Sequence, residues 1–225
     1  MQKLLTVLML LVFSLGIFVT PAQATGVYDM PYLGAGTDIW VIDNADTLSI
    51  ANEGNLTNAL KNLAKKTAQE VRMVTIRRLD FDQTIDTFID ELFSKWYPTP
   101  EDQANQTLIV LDTLTNNTAI RTGNEVKTIM PDDIANSVVE DTMGVPLRNG
   151  SKYNQAVMDA KTRLVAVLSG EADPGPPEVK EINVAGTFTS KEDTDDRGAT
   201  IWVVVLLVLA TAIPMATYFF YVGFN

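Results

Sequence analysis

The chain has 225 residues, 28 acidic against 17 basic, a formal net charge of −11, and neither cysteine nor histidine. Without histidine, Ser-His-Asp and Cys-His catalysis and most zinc chemistry are excluded, so any catalysis must rest on Asp, Glu, Ser, Thr, Lys, Arg or Tyr, and any metal must be a hard cation on oxygen ligands. The acidic balance excludes a nucleic-acid partner, because a phosphate backbone needs a basic stripe, and without disulfides the fold must rest on its core alone.

The N-terminal Met1-Gln2-Lys3, the apolar run Leu4 to Val19 and the Ala22-Gln23-Ala24 site predict a secretory signal peptide over residues 1–24. Residues 25–38, rich in Gly and Pro, predict an irregular arm. Ile39 to Ile42 predicts a short extended piece ending at Asp43. Ser49 is placed to open a helix whose Leu56, Leu60 and Leu63 share one face. Val71 to Ile76 alternates and is β-branched, which predicts a strand. Ile85, Phe88, Ile89, Leu92, Phe93 and Trp96 follow i, i+3, i+4, i+7, the strongest helical pattern in the chain, and Pro98 stops it. Tyr97 falls off that stripe and is predicted to be exposed. Thr107 to Leu111 reads as a buried strand, Thr115-Asn116-Asn117 as a turn, and Thr118 to Thr122 as a hairpin return.

Pro131 predicts the start of another helix, with Ile134 and Val138 inward, and Gly144-Val145-Pro146 predicts a break. Tyr153, Ala156, Val157, Ala160, Leu164, Val167 and Leu168 mark a last amphipathic helix that Gly170 ends. This order predicts an α/β domain over residues 39–170: a mixed sheet flanked by helices on both faces, with right-handed parallel crossovers. Residues 171–198 read as an acidic, Pro-containing linker. Residues 199–223 carry no charge and predict one transmembrane helix, about 33 Å long from Ile201 to Val222 at 1.5 Å per residue. The signal peptide and this stop-transfer helix together predict a single-pass protein with its domain on the translocated side.

Two sets of residues are candidates for chemistry. Asp80-Phe81-Asp82-Gln83-Thr84 fits D-x-D-x-T, the aspartyl nucleophile pattern of haloacid-dehalogenase-type phosphatases, although Asp82 or Thr84 serves equally as a helix cap. Asp43, Asp46, Asp112 and Glu125 form the second set. Asp43 and Asp112 each end a strand-like run, and α/β sheets gather ligands at those ends. Converging there, they would hold Ca²⁺ or Mg²⁺; standing apart, they would cap turns.

The chain resembles the TPM-domain family, and within it the thylakoid-lumen photosystem II repair proteins of cyanobacteria and plants. The matching stretches are Val41-Ile-Asp43-Asn-Ala45, Val71 to Arg78, Lys95-Trp-Tyr-Pro98, Lys152 to Ala156, Asp173-Pro-Gly-Pro-Pro177, Lys191 to Gly198 and Ile213 to Tyr218. The resemblance implies a TPM domain in the thylakoid lumen, one membrane helix, and a C-terminus on the cytoplasmic or stromal side. It implies photosystem II core or repair intermediates as partners, in repair, assembly and protection from photodamage. It also implies Ca²⁺ binding and acid phosphatase activity, known in some relatives. Asp43 matches the family's early Asp and, with Asp112, is the expected metal ligand. The family's Asp-Asn-Gly stands here as Ala104-Asn105-Gln106, and its acidic turn as Thr113 to Asn117. The expectation is therefore a non-enzymatic factor with no catalytic residues, and a metal-dependent acid phosphatase is the rival.

Overall fold

The computed structural model describes residues 24–177 and 196–223. Residues 1–23 of the predicted signal peptide and residues 178–195 of the predicted linker lie outside the described residues. Four strands form one sheet in the order β1 (Val41–Asp43), β2 (Glu70–Ile76), β3 (Gln106–Asp112) and β4 (Asn117–Thr122). The first three are parallel and β4 returns antiparallel to β3, so the sheet is mixed as predicted.

Helix α1 (Ile50–Thr67) joins β1 to β2, and its Ser49 cap accepts from the Asn52 amide at 3.3 Å. Helix α2 (Ile85–Trp96) joins β2 to β3, capped by Thr84. The short helix α3 (Pro100–Gln103) precedes β3. After β4 come α4 (Asn124–Ile129), α5 (Asp132–Ser137), a π-helical turn (Val138–Met143), α6 (Gly144–Arg148) and α7 (Tyr153–Leu168).

The alternation within the strands sorts the core into two layers. Val71, Met73, Ile109 and Leu111 face Leu56, Leu60 and Leu63 of α1 and Ala156, Val157 and Leu164 of α7. Val74, Ile76, Leu108 and Val110 face Phe88, Ile89, Leu92 and Trp96 of α2. Each fully buried Leu, Ile or Phe side chain contributes roughly 1.5–3 kcal/mol by leaving water.

This layering corrects one expectation. The chain steps across the sheet in one direction, β1 to β2 to β3, yet α1 and α2 pack on opposite faces. The two crossovers are therefore of opposite hand, and one is left-handed, against a strong general preference for the right-handed form.

Other local expectations also change. Gly144-Val145-Pro146 does not break the chain; helix α6 runs through it directly after the π-helical turn. Pro146 lies just past the π-helical turn within continuous helical backbone and offers no N–H to the preceding turn. Arm residues 25–38 are not merely loose. Met30 and Leu33 are buried against α2, and Lys95 Nζ donates to the carbonyls of Val27 and Met30. Trp96 Nε1 donates to the Pro31 carbonyl at 2.7 Å.

Arg72 completes this seal from within the sheet, 1% exposed. Its guanidinium donates to the carbonyls of Gly34, Thr37 and Ile39, to Glu70 and Gln106, and to Tyr97. Tyr97 is fully buried, not exposed as its sequence position suggests, because it turns off the α2 stripe toward this guanidinium.

The C-terminal side of the domain continues past Gly170. Arg163 of α7, 4% exposed, grips Asp173 through Nε at 2.7 Å and Nη2 at 2.6 Å. Its Nη1 donates to Ser137 and to Thr142 in the π-helical turn. Asp173 also accepts from the Gly175 amide, so the first residues of the predicted linker are held on the domain.

The last element is a separate unit: helix α8 (Asp196–Gly223). Its stretch Thr200–Tyr221 has a mean hydropathy of 2.3 and buries none of its side chains within the protein, as a membrane-spanning helix would. Pro214 lies inside it and withholds a donor from the Ala210 carbonyl. Thr211 and Thr217 donate back to the carbonyls of Leu207 and Ile213.

Candidate functional site

A cleft of about 620 Å³ opens at the carboxyl ends of β2 and β3, on the α2 side of the sheet. The loop from Arg77 to Thr84 forms one wall, and the turn after β3 forms the other. Arg78, Asp80, Phe81, Asp82, Asp86 and Asp112 are among the lining residues. Three accessible carboxylates, Asp80, Asp82 and Asp86, thus outnumber the one guanidinium in the lining, that of Arg78, and tilt the cleft toward negative charge.

The walls are tied together from the backbone up. Beyond the paired strands, the amides of Thr113 and Leu114 donate to the carbonyls of Ile76 and Arg77. Thr25 pairs with Leu79 as an isolated bridge: its amide donates to the Arg78 carbonyl at 2.7 Å and its carbonyl accepts from the Asp80 amide at 3.3 Å. The Tyr28 hydroxyl donates to Asp80 Oδ2 at 2.7 Å, and that bond holds the phenol above its ordinary titration value. Asp82 takes a left-handed backbone, φ 68°, which turns the loop back toward α2.

The D-x-D-x-T pattern therefore does line a cleft, but its roles are local. Thr84 caps α2, Asp82 makes the turn, and Asp80 is bonded to Tyr28. Arg77, Arg78 and Leu79 separate Asp80 from the end of β2, so it does not sit at the strand terminus where that chemistry places its nucleophile.

Asp43 and Asp112 are not brought together. Asp43 pairs in register with Thr75, and Asp112 with Ile76. Neighbouring positions along a strand point to opposite faces, so the two carboxylates lie on opposite sides of the sheet. They are also two strands apart, about 9–10 Å at the usual strand spacing.

Each has its own occupation. Asp43 Oδ2 accepts from the amides of Thr47 and Leu48 at 2.9 and 2.7 Å, and Oδ1 accepts from the Thr75 and Thr47 hydroxyls. Asp112, 2% exposed, accepts from the Leu114 amide and the Thr115 hydroxyl. Among the described residues, no three acidic side chains converge as a metal cage. The pair does not fit one shared Ca²⁺ or Mg²⁺. Asp46 holds a left-handed turn, φ 53°, and Glu125 lies in the first turn of α4 at the opposite end of β3.

Two features of this cleft carry no signal in the sequence. The exposure of Phe81 and the bridge from Thr25 to Leu79 depend on the arm folding back, and no local pattern announces that.

Comparison with known proteins gives a consistent picture. The family model described as the TPM domain matches residues 41–167. A chloroplastic UPF0603 protein of Arabidopsis thaliana is 33% identical over 192 residues, covering 84% of this chain and 67% of that protein. A chloroplastic UPF0603 protein of Oryza sativa subsp. indica is 31% identical over 198 residues, covering 87% of this chain and 66% of that protein. The chain thus spans about two thirds of the length of these relatives. In the solution structure of the N-terminal domain of a protein from P. gingivalis the fold is the same, with a TM-score of 0.60 at 23% identity over 66% of this chain and 94% of that one.

Proposed function

The chain belongs to the TPM domain family, and from that premise we propose that it is a membrane-tethered lumenal factor in photosystem II repair, assembly and protection from photodamage. The observation that carries the proposal is the joint occurrence of a TPM domain with chloroplastic relatives and a C-terminal helix fit to span a membrane. A thylakoid helix with the domain in the lumen and the C-terminus on the cytoplasmic or stromal side agrees with the signal-like N-terminus. Tethering raises the effective concentration of the domain toward integral partners without any new contact.

The chemistry of the domain supports a binding role. It contains no histidine or cysteine, and its best-placed carboxylates are engaged in turns and caps. A metal-dependent acid phosphatase using Asp43 and Asp112 would need both carboxylates on one ion, and their positions on opposite faces of the sheet favour the binding role instead. No reaction step is assigned to them.

The test is isolation of the full chain from detergent-solubilised membranes through a tag after Ala24, before and after strong light. Co-isolation of photosystem II subunits that rises with light is expected. A preparation free of photosystem subunits under both conditions would overturn the proposal.

A further inference from the structure

The rim of the cleft is apolar where its walls are acidic. Phe81, which lines the cleft, is 92% exposed, and two exposed apolar side chains adjoin the lining: Tyr28, 75% exposed and bonded to Asp80, and Leu114, 64% exposed between Asp112 and Thr115. Water-facing aromatic side chains gain nothing from packing, and several around one concavity mark a contact surface. These three are held in place. Tyr28 is bonded to Asp80, the residue before Phe81, and the Leu114 amide donates to the Arg77 carbonyl. The Thr25 bridge and the φ of 68° at Asp82 fix the loop on both sides of Phe81. An anchor presented on a restrained loop loses little conformational entropy on binding, which favours affinity.

Charge selects the occupant. Asp80, Asp82 and Asp86 line the cleft with accessible carboxylates beside the guanidinium of Arg78, while Asp112 is 2% exposed and engaged in its turn. A partner surface that is apolar and basic complements both the rim and the walls, and an acidic one is repelled.

We propose that the Tyr28–Phe81–Leu114 rim and its acidic cleft form a protein-docking surface whose occupant is a partner-protein segment carrying an apolar side chain flanked by Lys or Arg. This rests on the reading of the chain as a binding factor and names the surface through which it binds. Phe81 is the central contact: it seats against the apolar side chain, and Asp82 and Asp86 take the flanking cations.

The test replaces Phe81 with a photo-crosslinking phenylalanine analogue in the full membrane-bound chain, with the same analogue at Ile50, 90% exposed at the start of α1, as the control. Alongside it runs a triple variant, Phe81→Ser with Asp82→Asn and Asp86→Asn. Asn tolerates the left-handed backbone at position 82, and all three side chains are exposed, so the fold is retained. The expected result is crosslinking from position 81 to photosystem II segments with basic and apolar residues side by side, and none from position 50. The triple variant should lose co-isolation about tenfold or more. Silence at position 81, crosslinks to acidic segments, or full co-isolation by the triple variant would overturn the surface and leave the proposed function standing. Failure of the unmodified chain to co-isolate any photosystem subunit would overturn both.

Discussion

Arg72 and Tyr97 meet in the interior, where guanidinium Nη1 donates to the Tyr97 hydroxyl oxygen at 2.6 Å. The same guanidinium lies 5.5 Å from the Trp40 ring centroid and 5.7 Å from that of Tyr97. One charged side chain thus joins β2, the end of α2 and the arm. Replacing Arg72 with Met leaves Glu70, Gln106 and three carbonyls without their shared donor. We expect a loss of about 3–5 kcal/mol, with faster amide exchange over residues 34–40. Tyr97→Phe removes one acceptor and should cost about 1–2 kcal/mol. Urea unfolding of the full chain measures both, and a cost for Arg72→Met no larger than for Tyr97→Phe would contradict the joining role.

Burial pushes the Tyr97 hydroxyl up to about 12, with the Arg72 charge and hydrogen bond pulling partly the other way. A group whose folded value is raised stabilises the fold below its unfolded value and loses that contribution as pH rises through the folded one. The phenol therefore stays neutral at any physiological pH. Ultraviolet titration should show Tyr97 ionising only at strongly alkaline pH, and Tyr97→Phe should remove its share of the late absorbance change and leave that of Tyr28.

The separation of Asp43 and Asp112 makes a second prediction. Asp43→Ala frees two amides ahead of α1 and should destabilise by about 1–2 kcal/mol, as loss of a cap does. Asp112→Asn should disturb only the turn after β3. Thermal melting with and without added Ca²⁺ separates the roles. The two substitutions should act independently of the cation; a Ca²⁺-dependent rise in Tm abolished by either one would show a shared ion.

A third prediction concerns pH at the end of the domain. The Asp173 carboxyl is held below its ordinary value of 3.8, first by its hydrogen bonds from Arg163, against partial burial. A depressed carboxylate contributes stability above its unfolded value and loses it as pH falls through the folded one. The clamp is thus at full strength in neutral and mildly acidic conditions and weakens only below about pH 4. Asp173→Asn should cost about 2–3 kcal/mol at pH 7 and release residues 171–177 to exchange. An exchange rate there that already rises from neutral to mildly acidic pH would refute this.

The tail makes a fourth. Deletion from residue 199 onward should convert the protein from carbonate-resistant to extractable. Leu209→Arg, near the middle of the span, should cost about 2.5–3.5 kcal/mol of insertion free energy. Unchanged carbonate resistance in both variants would place the membrane anchor elsewhere.

Much of the fold was legible in sequence because the signals are local. The spacing of Ile85 to Trp96 fixes an amphipathic helix, and the β-branched alternation of Val71 to Ile76 fixes a strand, whatever surrounds them. The tail helix is legible for the same reason, since length and lack of charge decide it. Short α3 and α4 are not legible in sequence because one or two turns carry too few positions for a period to show. Ser49 and Thr84 were readable as caps because their bond partners lie three residues away.

What the sequence alone determined is an acidic domain without histidine or cysteine, its two core layers, and an apolar tail. Tertiary structure alone decided which residues meet. Register placed Asp43 and Asp112 on opposite faces, since adjacent strand positions differ by half a turn of the pleat. The packing of α1 and α2 on opposite faces set one left-handed crossover. The return of the arm buried Tyr97 around Arg72, tied Thr25 to Leu79, and left Phe81 in water. Each of these depends on contacts between segments tens of residues apart, and neither residue type nor periodicity encodes such a contact locally.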